Sequence, residues 1–518
     1  MQSNAAADSL NKRYFYKLFS NFIGFIVSVV IQAIIPRGLG PKAYGNFNFL
    51  TSFFSQITSF LDSGTSTCFY TKLSSRQNEF GLVSFYFYFI LAAFLLIIGF
   101  VFAAFLFSAH NLLWPAQENI FIYLALGFAI LTWIAQVLNS MTDARGLTVS
   151  AELTRVLQKI FGVAFIIILF VSHRLNLRSL FLYHYVMLFL CSSIFILIMH
   201  KYGYSVINGW KLTWQKTKAY IKEFYNYSHP LFIYSLLALI VGIFDRWLLQ
   251  IVGGSLQQGF YSLSYQIGAI CFLFAGAMTP LIMREFSIAY EKKNLNQIVH
   301  LFQRYVPLLY AITAYLSCFV VTQASKVVYI FGGNRFREAI IPVSIMAFYP
   351  IHQVYGQLVS SVFYATGKTK LYSSIAIIFM LVGLPLTYFL LAPNDKFGLN
   401  AGANGLATKM VLINFMDVNV QFYFVSRILN LNFWRYFGHQ LLSIGAFLSV
   451  AVGASSVIDY IFKSQLKSMP SFFITGILYS LLVMCLIYAF PFILGVKRGD
   501  FGLAFQILSK KLNFKFIN

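Results

Sequence analysis

Fourteen stretches of this chain run for about twenty residues with almost no charge, and that pattern restricts the fold more than any motif does. A helix needs about 20 apolar residues to cross ~30 Å of hydrocarbon. The stretches are 14–35, 43–61, 81–108, 120–140, 153–172, 177–199 and 230–252, then 260–282, 305–322, 340–364, 371–392, 399–425, 433–461 and 470–494. Membrane strands alternate lipid-facing and lumen-facing residues, whereas 161–171 is apolar at nearly every position. An all-α integral membrane protein of about 14 transmembrane helices is expected. The segment 43–61, rich in Ser, Thr and Asn, and the short 305–322 fit least well.

Composition agrees. Only 10% of the 518 residues are charged and the mean hydropathy is +0.73, where a soluble domain carries about a quarter charged residues. The polar tail 1–11 precedes the first apolar run, and no small-residue cleavage site follows it, so no removable signal peptide is expected.

The formal charge of +23 suggests nucleic acid until it is mapped. With a cytoplasmic N-terminus, inner loops and tails hold 25 Lys and Arg and outer loops 10. This is the positive-inside bias, and it places both termini in the cytoplasm and the cations near anionic lipid. Nucleic acid is excluded as a partner. The five cysteines are scattered among apolar helices with no Cys-x-x-Cys pair, so neither a metal site nor a disulfide framework is expected.

The chain divides into a cytoplasmic tail (1–13), a six-helix lobe (14–200), a cytoplasmic linker (201–229), a second six-helix lobe (230–427), two additional helices (428–494) and a basic amphipathic tail (495–518). The two lobes carry matching landmarks. Gly40, Gly45 and Phe47 map onto Gly254, Gly259 and Tyr261 with an offset of 214, and Gly146 and Gly367 open similar turns at an offset of 221. Six spans per lobe make the repeat parallel, an arrangement that transporters use to rock two halves about a central site. Chance recurrence of short glycine turns is the competing explanation for each landmark taken singly.

Several segments then resemble one family. Arg37-Gly-Leu-Gly-Pro-Lys-Ala-Tyr-Gly-Asn-Phe-Asn-Phe, followed by Phe60-Leu-Asp-Ser-Gly, is similar to the opening of bacterial polysaccharide flippases of the Wzx type. So are Tyr227-Ser-His-Pro-Leu, Phe244-Asp-Arg-Trp-Leu-Leu, Gly259-Phe-Tyr-Ser-Leu-Ser-Tyr and Ala365-Thr-Gly-Lys-Thr-Lys. Asn400-Ala-Gly-Ala-Asn-Gly departs slightly from the family's more usual Gly-Ala-x-Gly-Ala-Ala. The resemblance runs from about 14 to 425 and rests on the order and spacing of these motifs.

It implies the multidrug/oligosaccharidyl-lipid/polysaccharide exporter superfamily, with two lobes around a central cavity open alternately to either side. It also implies movement of undecaprenyl-diphosphate-linked oligosaccharide units to the periplasmic leaflet of the bacterial inner membrane, for O-antigen, capsule or another exopolysaccharide. Lipid-linked oligosaccharide and inner-membrane lipid are the expected partners, with a polysaccharide polymerase and chain-length machinery beside them. Lipid II flippases share the fold and commonly carry two extra helices. A multidrug/cation antiporter on the same fold would prefer acidic cavity residues. A polymerase or glycosyltransferase would need a large outer loop, and the longest here, 323–339, holds a single acid, Glu338. No nucleophile–base or paired-carboxylate constellation appears, so no enzyme is expected.

Ionised side chains in hydrocarbon are costly and face a cavity or a partner. Arg246, Lys159 and Lys409 lie inside expected spans, and Arg155 shares a helix face with Lys159 and Glu152. These four are the candidate substrate cations, because a diphosphate needs cations in a low-dielectric space. The competing readings are neutralisation of Asp245 by Arg246, snorkelling by Lys159, and pairing of Lys409 with Asp417. No cofactor motif appears. For coupling to Na+ or H+ the candidates are Asp245, Asp62 and Asp417, with Asp62 better placed as a helix cap. His184 and His352 read as packing residues.

Overall fold

The computed structural model describes residues 10–204, 212–462 and 468–495. The expected amphipathic tail beyond 495, the first nine residues and part of the linker lie outside the described residues. The described residues form helices and no strand, and nine helical stretches among them are long and apolar enough to cross a membrane. Each of the fourteen expected stretches overlaps helical chain.

The chain folds into two compact units, Met1–Ser262 with Thr387–Gly402, and Leu263–Leu386 with Ala403–Asn518. The first holds α1 (Leu10–Asp62), α2 (Thr65–Ser75), α3 (Phe80–Leu106), α4 (His110–Leu113), α5 (Asn119–Ala144), α6 (Thr148–Val171), α7 (Leu177–Lys201), α8 (Trp214–Ser228) and the first half of α9 (Phe232–Glu291). Among the described residues its core includes two clusters. Tyr86, Trp133, Met141, Phe195 and Phe224 build one, and Phe49, Phe54, Trp114 and Phe181 the other.

Two helices contain an internal turn. In α1, Gly40 sits at φ 75°, ψ 169°, with Pro36 and Pro41 beside it. In α9, Gly254 sits at φ 65°, ψ −172°. This region of backbone space is open essentially to glycine alone. The two residues are the pair related by the offset of 214, so repeat and conformation agree. Gly146 and Gly367 likewise share positive φ, at 81° and 70°. The Ser-, Thr- and Asn-rich stretch 43–61 is thus the second arm of α1.

The second unit contains α10 (Leu295–Thr322), α11 (Ala324–Gly332), α12 (Ile340–Met346), α13 (Tyr349–Ala365), most of α14 (Thr369–Leu391), α15 (Gly402–Ile428), α16 (Phe433–Phe462) and α17 (Ser468–Ala489). The expected span 340–364 is broken between α12 and α13, and the loop 323–339 is largely helical. The two additional helices belong to this unit's core. Tyr479 of α17 stacks on Tyr315 of α10 with ring centroids 5.0 Å apart, and Tyr310 donates to the Gln440 carbonyl of α16 at 3.4 Å. Four cysteines are buried, Cys485 is exposed, and all five are free.

Candidate functional site

Arg246 and Asp245 are sequence neighbours on α9 but face different partners, as the 100° step of a helix requires. Asp245 is buried and accepts a hydrogen bond from the Thr387 hydroxyl at 2.7 Å. Arg246 donates through Nη1 to Gln258 Oε1 at 3.1 Å and to Ser262 Oγ at 2.9 Å. Its guanidinium lies over the Tyr261 ring, 4.4 Å from the centroid. The Gln258 amide in turn donates to the Arg246 carbonyl. In a straight helix Gln258 would be roughly 18 Å further along the axis, beyond an arginine's reach. The Gly254 turn reverses the chain and brings the two together. Gln258, Tyr261 and Ser262 are buried, and Tyr44 of α1 is close enough to feel the Arg246 charge. Sequence reading missed all of these, because their proximity depends on one backbone conformation.

Lys159 and Arg155 occupy one face of α6. Arg155 donates to Asn139 Oδ1 from Nε at 3.1 Å and Nη2 at 2.6 Å. It also pairs with Glu152 at 3.3 Å and Asp143 at 3.8 Å. Two carboxylates therefore neutralise it, and Glu152 is fully buried. Lys159 lies across Gly24 of α1, where a Cβ would come within 3.0 Å of its Cε and closer to Nζ.

In the second unit Lys409 is buried and crosses Gly383 of α14, with Cε 3.1 Å from where a Cβ would stand. Asp417 accepts from Gln421 Nε2 at 2.8 Å. Asp62 caps α2: its carboxylate accepts from the Ser66 backbone N–H at 2.8 Å and from the Thr65 and Ser66 hydroxyls at 2.8 and 2.7 Å. His184 stacks on Phe47 at 5.2 Å and His352 meets Phe415 edge-on at 4.9 Å, as packing residues do. Arg145, in the α5–α6 turn, is buried over the Tyr204 ring at 4.5 Å, and burial pushes its pKa down to about 10.

The fold has solved counterparts. A lipid II flippase, MurJ, in an inward closed conformation superposes with a TM-score of 0.64 at 14% identity, over 92% of this chain and 98% of that one. An inward-facing multidrug resistance MATE family transporter of the MOP superfamily gives 0.63 at 14% identity, over 79% and 94%. A MOP superfamily transporter from Pyrococcus furiosus, described as having a binding pocket of reversed polarity, gives 0.53 at 16%, over 81% and 95%. The molecule is a multi-pass membrane protein with the fold of the MOP transporters. No curated protein matches the sequence. The polysaccharide biosynthesis protein family matches residues 10–284, a little over half of the chain, and the protein belongs to that family.

Proposed function

We propose that this protein is a flippase that carries undecaprenyl-diphosphate-linked oligosaccharide units from the cytoplasmic to the periplasmic leaflet of a bacterial inner membrane by alternating access. The lobes 14–200 and 230–427 are the moving halves, both termini are cytoplasmic, and the product feeds a surface polysaccharide. The observation that carries this reading is Arg246, a cation within an apolar helix, in a chain of the polysaccharide biosynthesis protein family. An arginine fork makes two parallel hydrogen bonds to two oxygens of a diphosphate and offers nothing to a cationic drug. Lys159 and Lys409 are further stations for the head group. Arg155 contributes less, since Glu152 and Asp143 already hold its charge.

The extent of the match to MurJ favours a second reading, a flippase for lipid II itself. Depletion separates the two. Loss of surface polymer with lipid-linked repeat units held on the cytoplasmic leaflet supports the first reading. Arrest of cell-wall synthesis supports the second, and normal surface polymer in cells without a redundant flippase rejects the first.

A further inference from the structure

We infer that Gln258, with Tyr261 and Ser262, is the positioning apparatus for Arg246, brought within its reach by the turn at Gly254. The inference rests on the proposed role of Arg246 toward a diphosphate and adds the residues that make it selective. An unrestrained arginine explores many rotamers, and only an oriented fork makes two parallel hydrogen bonds to an oxyanion. Two acceptors on Nη1 fix where the guanidinium sits in its own plane. The Tyr261 ring against its face fixes the plane itself. Gln258 closes the arrangement by donating back to the Arg246 carbonyl, which ties side chain and backbone of the two arms of α9 into one ring.

Gln258, Tyr261 and Ser262 are neutral side chains, and that choice has a consequence. A carboxylate at position 258 would also accept from Nη1 and would also orient the fork, but it would cancel the charge that attracts the ligand. Glutamine orients without neutralising. The first lobe shows what the position is without a cation: at the offset of 214, Arg246 corresponds to Gln32 and Gln258 to Tyr44. The Gln32 Oε1 is buried and makes no hydrogen bond. The cation and its glutamine therefore occur together in the second lobe, and both are replaced in the first.

The test is binding of farnesyl diphosphate, a short soluble probe, to the purified full-length protein, with thermal stability recorded for every variant. Arg246→Ala should abolish binding. Gln258→Leu should weaken it about tenfold, the worth of one charge-assisted hydrogen bond. Gln258→Glu, nearly isosteric, should weaken it further than Leu does. A residue that merely supports the fold would give the opposite order, since Glu keeps size and polarity. Tyr261→Leu and Ser262→Ala should each weaken binding while the protein still melts as a folded unit, and they carry the test if the position-258 variants fail to fold. If Arg246→Ala loses the probe while every neighbour variant binds like the parent, the positioning role is wrong and the diphosphate site stands. If Arg246→Ala binds like the parent, the diphosphate site itself is wrong and the positioning role falls with it.

Discussion

Gly45 and Gly259, equivalent residues of the two repeats, cross each other inside the first unit with no room for a side chain on either. A Cβ on Gly45 would lie 2.8 Å from the Gly259 nitrogen and closer still to the Ser255 carbonyl oxygen. A Cβ on Gly259 would lie 2.8 Å from the Pro41 carbonyl carbon and closer to its oxygen. Pro41 corresponds to Ser255 under the offset of 214, so the contact is its own counterpart when the repeats are exchanged.

The obstructing atoms at this crossing are backbone, which cannot swing aside. Gly45→Ala or Gly259→Ala should lower the thermal stability of the purified protein by about 1–3 kcal/mol. Gly438→Ala is the control: this helical glycine has open space around it, and alanine there should be neutral or stabilise by about 0.5–1 kcal/mol. Equal melting behaviour of the Gly45 and Gly438 variants would refute the close crossing.

The turns need their glycines for a different reason. At Gly254 a Cβ would meet nothing within 4 Å, yet the φ of 65° disfavours any L-residue. Gly254→Ala should cost about 1–3 kcal/mol through the backbone alone, and Gly40→Ala should behave alike. Chemical denaturation of the two variants measures this. A loss confined to one of them would break the repeat correspondence.

Transport should report on Arg246 in a graded way. Lysine keeps the charge but not the fork, so Arg246→Lys should retain partial export of surface polymer. Arg246→Ala and Arg246→Glu should abolish it at normal protein abundance. Parental export by Arg246→Ala would move the phosphate station to Lys159 or Lys409.

Helix α8, in the linker between the lobes, is held to the end of α2 by charge. Glu223 pairs with Lys72 and with Arg76 Nη2, the latter at 3.0 Å. The hydrogen bond from Lys72 holds the Glu223 carboxyl below its ordinary value, with Arg76 adding to the effect. A depressed carboxyl pKa contributes stability above the unfolded value of about 4.3, and that contribution is lost as pH falls through the folded value. For a pair this exposed it is at most about 1 kcal/mol. Proteolysis of the linker should therefore accelerate in parent protein below about pH 4, and Glu223→Gln should show the faster cleavage already at pH 7. A pH-independent cleavage rate would discard the staple.

The charge asymmetry predicts that a reporter fused after Lys218 is cytoplasmic and one after Lys467 is periplasmic. The reverse pattern would invert the topology and the assigned direction of transport.

What the sequence by itself determined was the helical membrane character and the glycine landmarks that the two halves share. Each follows from local chemistry: apolar runs of crossing length, and glycines spaced alike in both lobes. Asp62 was legible as a cap for the same reason, since its partners Thr65 and Ser66 lie within four residues. The short helices α2, α8 and α11 were not foreseen, because at 11, 15 and 9 residues they are too short to stand out between spans. Only the tertiary structure decided what the charged residues do. It added Asn139 and Asp143 to the Glu152 that Arg155 meets on its own helix, and gave Asp245 to Thr387 and Arg246 to residues a dozen or more positions away. A single glycine in a conformation closed to other residues folds α9 back on itself, and no periodicity read along the chain encodes which side chains then meet.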